Sequence, residues 1–199
     1  QQDARRFAHA QETETPRISV QDVSDFTDAP NAFAAGFGPS RRVVLWSTLL
    51  DGRFRDREVS VVLAHELGHH SRNHILEGLG WYALFAFPGA LAIALITRRR
   101  GGMREPLAVP LALLVFVVLQ TLALPLQNAI TRHMEEEADW IALETTQDPD
   151  GARNLFQGFA REALLDPDPP WWSYHLTETH PVIVDRVAMA EAWRDRRER

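Results

Sequence analysis

Cysteine is absent from this chain, which excludes a disulfide framework, thiolate zinc fingers, iron–sulfur clusters and a cysteine nucleophile. Any metal must therefore be held by His, Asp or Glu. Lysine is absent too: all 21 basic residues are arginine, a compositional bias to which we give no functional weight. An excess of positive charge is also missing. The net charge of −6 argues against a nucleic-acid binder, whose footprint is a basic patch or stripe. Internal repeats and low-complexity tracts are lacking. With 24% charged and 45% hydrophobic residues, the chain is neither disordered nor fibrous. Its 199 residues suffice for one domain with a real core, or for one small domain plus membrane segments. The chain opens at Gln1 without a methionine, and further N-terminal sequence is expected before it.

Charge is also missing from two long internal runs, Leu79 to Thr97 and Leu107 to Leu126. At 1.5 Å per residue each spans roughly 28–30 Å as a helix, the thickness of a bilayer's hydrocarbon core. Pro88, Pro110 and Pro125 interrupt them, which membrane helices tolerate better than soluble ones. Two buried core helices are the other reading. The adjacency of two such runs in a small chain favours a membrane hairpin, and their internal position excludes a signal peptide.

The hairpin divides the rest. Arg17–Val23 and Arg42–Ser47 have strand character, with turn signals at Ala29–Asn31 and Gly36–Pro39. Asp56 is a plausible N-cap for a helix from about Arg57 to His74. A helix is expected from Gln127 to Thr145 and another from Gly151 to Leu165. Asp166–Trp172, rich in proline, reads as irregular, and Pro181 as the first residue of a last amphipathic helix.

The chemistry sits in Val61-Val-Leu-Ala-His65-Glu66-Leu-Gly-His69-His70. His65 and His69 are four apart, so on a helix both imidazoles reach one ion from the same face. Glu66 lies beside them, where a carboxylate can take a proton from zinc-activated water. The spacing could be coincidence on a solvated helix, but the apolar run before it indicates burial, and buried His and Glu need partners. A third protein ligand is required. Arg72 and Ile75 stand where an extended His-x-x-Glu-His-x-x-Gly-x-x-His pattern would need glycine and histidine, so the ligand must come from elsewhere. Glu135-Glu136-Glu137-Ala-Asp139 offers a carboxylate. Glu135 stands out because Asp139, four residues on, shares its face and could receive a ligand histidine's other N–H. Glu136 and Glu137 point elsewhere around the helix and read as solvated.

Further motifs follow in order: Asn31-Ala-Phe-Ala34 with Gly36 and Arg42-Val-Val-Leu45; His65-Glu-Leu-Gly-His69 with Asn73-His74; Asn128, Arg132, Glu135, Ala138 and Asp139; Trp171-Trp-Ser-Tyr174; and Thr179-His180-Pro181 with Arg186. In this order, with a hairpin between the histidines and Glu135, the chain from Asn31 to about Arg194 resembles the integral-membrane zinc metallopeptidases typified by CaaX prenyl protease 1 and bacterial HtpX. It is closer to the prenyl-protease branch. The resemblance implies His65, His69 and Glu135 as zinc ligands, Glu66 as general base, and Asp139 as the carboxylate behind a ligand. It implies His180 near the site as a donor to the oxyanion, although a histidine before proline can also simply cap a helix. Arg186 would anchor its segment by an ion pair. The strand carrying Val43, Val44 and Leu45 would present a free edge to an extended peptide, unless it pairs inside the sheet. His70 and His74 read as helix-surface or packing residues.

The fold class expected is mostly α (α+β): a helical zinc-metallopeptidase (gluzincin-like) domain with a small β-sheet and an inserted two-helix transmembrane hairpin. Residues 1–78 and 127–199 would form the catalytic body and 79–126 the hairpin. The function expected is a zinc-dependent endopeptidase in membrane or unfolded-protein quality control, with one Zn2+ per chain. Zinc is the ion expected, ahead of cobalt or manganese. The alternatives are a processing protease for lipidated C-terminal peptides, a non-catalytic membrane scaffold and, more weakly, a zinc transporter or store. The partners would be an extended peptide or protein and the lipid bilayer, with no nucleic acid. The location would be a cell membrane, a bacterial inner membrane by preference, with the catalytic body cytoplasmic. Arginines at both Arg98–Arg104 and Arg194–Arg199 pull that orientation in opposite directions.

Overall fold

The computed structural model describes residues 2–102, 104–162, 164 and 166–199. Helix α1 (Gln2–Ala10) opens the chain and buries Ala4, Phe7 and Ala8, an i, i+3, i+4 stripe. Three short strands follow: β1 (Arg17–Gln21), β2 (Ala32–Ala35) and β3 (Arg42–Trp46). They form one sheet in the order β1-β3-β2, with β1 parallel and β2 antiparallel to β3. The strand expected to offer a free edge is therefore the middle one. Val43, Val44 and Leu45 pair with Ile18, Ser19 and Val20 on one side and with Ala34, Phe33 and Ala32 on the other. Their side chains are buried. The free edge next to the helices belongs to β2.

Helix α2 (Asp56–Ser71) runs through the centre and is buried nearly all round, from Val61 to Gly68. Its cap lies one residue earlier than the sequence suggests. Glu58 Oε2 accepts the Arg55 N–H at 2.9 Å, which makes Arg55 the N-cap and puts Asp56 in the first turn. The helix also stops before His74. Asn73 adopts a left-handed conformation (φ 58°), which asparagine tolerates, and His74 begins a new helix.

That helix, α3 (His74–Arg98), and α4 (Ala108–Thr146) form the hairpin. Both are long and apolar enough to cross a membrane, and almost none of their apolar stretches is buried. Phe87 is 78% and Leu122 72% exposed, which marks the chain as a membrane protein. Pro88 and Pro125 sit inside continuous helices, whereas Pro110 falls in the first turn of α4, where no intrahelical N–H bond is lost. Helix α4 runs on for 39 residues, about 58 Å, and its second half returns to the body beside α2.

Helix α5 (Pro149–Glu162) starts where Asp148 Oδ1 accepts the Gly151 N–H at 2.8 Å and proline takes the first position. Leu165, the expected end of this helix, lies outside the described residues. Helix α6 (Trp171–Thr177) forms at the end of the stretch expected to be irregular. Helix α7 (Ile183–Glu198) begins two residues after Pro181, with Val182 at its cap. Pro181 therefore precedes the helix instead of opening it. Phe54, Val61, Leu67, Leu143, Phe156 and Trp193 tie α2, α4, α5 and α7 into one core.

Candidate active site

The site lies where α2 crosses the second half of α4. A Cβ built on Gly68 would lie 3.4 Å from the Ala138 Cα, so the absent side chain lets the two backbones close together. His65 and His69 flank the crossing on one helix, and Glu135 and Asp139 on the other. His65 Nε2 lies 3.2 Å from Glu135 Oε2, and His69 Nε2 lies 3.4 Å from Glu135 Oε1. The two Nε2 atoms are 3.1 Å apart. One ligand atom from each of these three residues falls within 4.8 Å of the others.

The tautomers follow from the partners. His65 Nδ1 lies 2.9 Å from Asp139 Oδ1, a carboxylate that only accepts, so the proton is on Nδ1 and Nε2 faces inward. Asp139 is in turn gripped by Arg186, whose Nε and Nη2 donate to it at 2.7 and 2.6 Å. The guanidinium rests over the Phe156 ring at 4.3 Å. All three groups are buried.

The charges of the cluster are strongly coupled. Burial opposes a charged His65, yet Asp139 and Glu135 raise its pKa to about 10. Burial and the neighbouring His65 lower His69 to about 3. Glu135 is held at about 2 against burial by the adjacent His65 imidazole. Asp139 is kept below the carboxylate range, again against burial, by Arg186 and His65. Two imidazoles and a carboxylate converge, and Glu135 Oε2 has no hydrogen-bond partner despite being buried. A divalent cation fits this donor set: two nitrogens and a carboxylate oxygen with a fourth position open is the composition of a catalytic zinc site.

Glu66 is also buried, and burial, against the charge of His65, pushes it up to about 7. It opens onto a cleft of ≈ 380 Å³ that also contains His65, His69 and Glu135. One wall of the cleft is β2, through Ala32, Phe33 and Ala34, and the other includes His180. The His180 Nε2 is 3.3 Å from Glu135 Oε2, with the side chain 57% exposed. Its segment is held from α4: Arg132 Nη1 donates to the Tyr174 and Glu178 carbonyls at 3.2 and 2.7 Å, and Asn128 Nδ2 to the His175 carbonyl at 3.3 Å.

The structure thus brings His65, Glu66, His69, Glu135, Asp139, His180 and Arg186 together. It leaves Val43, Val44 and Leu45 out of the cleft, because both of their edges are used within the sheet. Three placements were not legible in the sequence. His70 is buried and donates Nε2–H to the Arg42 carbonyl at 3.1 Å, tying α2 to the sheet. His74 is buried against His69. Glu137, which reads as solvated, receives both His74 and Arg72. These partners lie across a helix break, on a strand or on another helix, where residue spacing carries no signal.

Comparison with known proteins agrees with this architecture. The sequence profile of peptidase family M48 matches residues 1–194. A protein of Bacillus subtilis (strain 168) described as the uncharacterized metalloprotease YhfN is 33% identical over 194 residues, covering 92% of this chain and 45% of that protein. A CAAX prenyl protease 1 homolog of Arabidopsis thaliana is 27% identical over 186 residues, covering 86% and 42%. The chain therefore spans about half the length of these curated relatives. The crystal structure of S. mikatae Ste24p superposes with a TM-score of 0.76 at 22% identity, over 94% of this chain and 48% of that one, so the two share a fold. A profile that runs through both halves of the body, on either side of the hairpin, places this chain in peptidase family M48, a family of zinc-dependent metallopeptidases.

Proposed function

We propose that this chain forms the catalytic body of a membrane-embedded zinc endopeptidase, with residues 1–78 and 127–199 building the body around the 79–126 hairpin. The observation that carries the reading is the convergence of His65, His69 and Glu135 on one point beside Glu66. His65, His69 and Glu135 would hold the ion. When bound, zinc polarises the scissile carbonyl and makes water acidic enough to lose a proton near neutral pH. Glu66 takes that proton as the water oxygen bonds to the carbonyl carbon, then returns it to the amide nitrogen as the C–N bond breaks. His180 donates to the oxygen on which charge develops. Asp139, locked by Arg186, fixes the His65 ring. The outer edge of β2, where the Ala32 N–H meets the Asn31 side chain and the Ala34 N–H faces Glu66, would be the side along which an extended substrate's main chain lies across the cleft.

Membrane or unfolded proteins are the proposed substrates, in a quality-control role in a bacterial inner membrane. The body is placed on the cytoplasmic side, which the arginines at 194, 196, 197 and 199 favour and those at 98–100 and 104 oppose. Similarity to the plant prenyl protease homolog favours a second reading, the trimming of lipidated C-terminal peptides. The test compares an unfolded soluble protein with a prenylated C-terminal peptide as substrates for the full-length protein in detergent, with and without chelator. Chelator-sensitive cutting of the unfolded chain supports quality control. Cutting of the prenylated peptide alone supports the second reading. Cutting of neither by a zinc-loaded protein would return the scaffold alternative.

A further inference from the structure

The ring of His69 is supported by a chain of partners like the one behind His65, running from the buried His74 out to the half-buried Glu137 and the exposed Arg72. His69 Nδ1 lies 3.0 Å from His74 Nδ1, and the two rings meet edge to face at 71°. His74 Nε2 lies 3.0 Å from Glu137 Oε2. The other carboxylate oxygen, Oε1, accepts Arg72 Nε–H at 2.6 Å. The His74 side chain is 3% exposed, so no solvent competes for it. Three helices contribute: His69 from α2 with Arg72 just past its end, His74 from the first turn of α3, and Glu137 from α4.

With both imidazoles neutral, one arrangement of protons satisfies this chain. Glu137, anchored by Arg72, accepts and cannot donate, so His74 carries its proton on Nε2. The His74 Nδ1 is then a lone pair, and the Nδ1 of His69 must donate to it. With its proton on Nδ1, His69 presents the Nε2 lone pair to the point where His65 and Glu135 meet. Reversing the chain would set a lone pair of His74 against the Glu137 carboxylate and turn an N–H of His69 into the cluster. Holding the proton away from the ligating nitrogen and fixing the ring is the part a carboxylate or carbonyl plays behind a metal-bound histidine. Here a second histidine transmits it.

We propose that His74 is a positioning residue for the metal ligand His69, and that Glu137, held by Arg72, dictates the His69 tautomer through it. The proposal rests on the assignment of His65, His69 and Glu135 as ligands. Because His74 is also the first residue of α3, it ties the seating of that helix to the geometry of the site.

The test measures zinc affinity by competition with a chromophoric chelator, and the visible spectrum of the cobalt-substituted form, on the full-length protein in detergent. Metal-free melting curves control for folding. His74→Leu is expected to weaken zinc binding by about 10–100-fold, the usual consequence of losing such a partner, and to shift the cobalt bands. His74→Asn, whose Oδ1 can accept from His69 Nδ1 in place of the imidazole, recovers most of the affinity. Glu137→Gln, whose amide can face His74 with either end, gives a smaller loss. Unchanged affinity in His74→Leu, or equal losses in the Leu and Asn variants, would overturn the proposal. If the Leu variant does not fold, unchanged zinc affinity in Glu137→Gln overturns it instead. His69→Ala is measured in parallel. Loss of zinc there upholds the ligand assignment independently of His74, and retention of the parent affinity would sink that assignment and this proposal together.

Discussion

Helix α4 is one unbroken element with two opposite halves. In the first half, large apolar side chains are exposed: Leu113, Leu114, Phe116, Val117 and Leu122 all project outward. In the second half, polar ones are buried: Asn128, Arg132, Glu135 and Asp139. A single solvent cannot account for both. The first half is dressed for lipid, where its own helical bonds satisfy the backbone and apolar side chains need no cover. The second half is a packed protein interior, where a polar side chain is tolerated only if it is partnered. Asn128 and Arg132 bind the carbonyls of α6 and its C-terminal end, and Asp139 binds His65 and Arg186. Glu135 alone has a buried oxygen without a partner. The exception in a fully partnered row is the feature that points to an ion.

The sharpest way to break the comparison is at Asp139. Asp139→Ala strands the buried Arg186 and frees the His65 ring. It is expected to destabilise the body by about 3–5 kcal/mol, the typical loss when one partner of a buried pair is removed, read as a lowered denaturation midpoint. The sign with pH is also fixed. Asp139 is held below its ordinary range by Arg186 and His65, so its contribution is complete above the unfolded carboxylate value of about 3.9 and is lost as the pH falls below it. The midpoints of metal-free parent and variant should therefore converge in acid and stay apart at neutral pH.

A charge in the lipid-facing half should come next. Leu114→Arg, in the exposed half of α4, is expected to oppose membrane insertion by about 2.5–3.5 kcal/mol, seen as a smaller membrane-extracted fraction. A surface helix of a soluble protein would accept the same change with little effect. The smallest effect belongs to the body's exterior. Arg57 pairs with Asp148 across α2 and the start of α5, partly in solvent, and Arg57→Ala should cost at most about 1 kcal/mol in thermal or denaturant melting.

These contrasts also explain what could be read from the sequence. The two charge-free runs and the four-residue spacing of His65 and His69 are local patterns, and locality is what a sequence displays. Glu135 was legible for the same reason, because Asp139 one turn on marks the inward face of α4. Strand β2 was not, since Ala32-Phe-Ala-Ala35 lacks the β-branched residues that signal a strand. The free edge could not be assigned to it because β1, far off in sequence, takes the other side of β3. Glu137 looked solvated because a run of acids usually is. Its role depends on His74, which reaches it only because Asn73 breaks the helix and starts α3 in a new direction.

The central claim is that the cluster holds a metal while Glu66 handles the proton, and one comparison tests both parts at once. Zinc content and cleavage of an unfolded protein would be measured together for the full-length parent and Glu66→Gln. The account predicts one zinc per chain in both proteins and cleavage slower by about 10²–10⁴-fold in the variant, the contribution of a positioned base. A variant that cuts as fast as the parent, or a parent that cuts without retaining zinc, would contradict it.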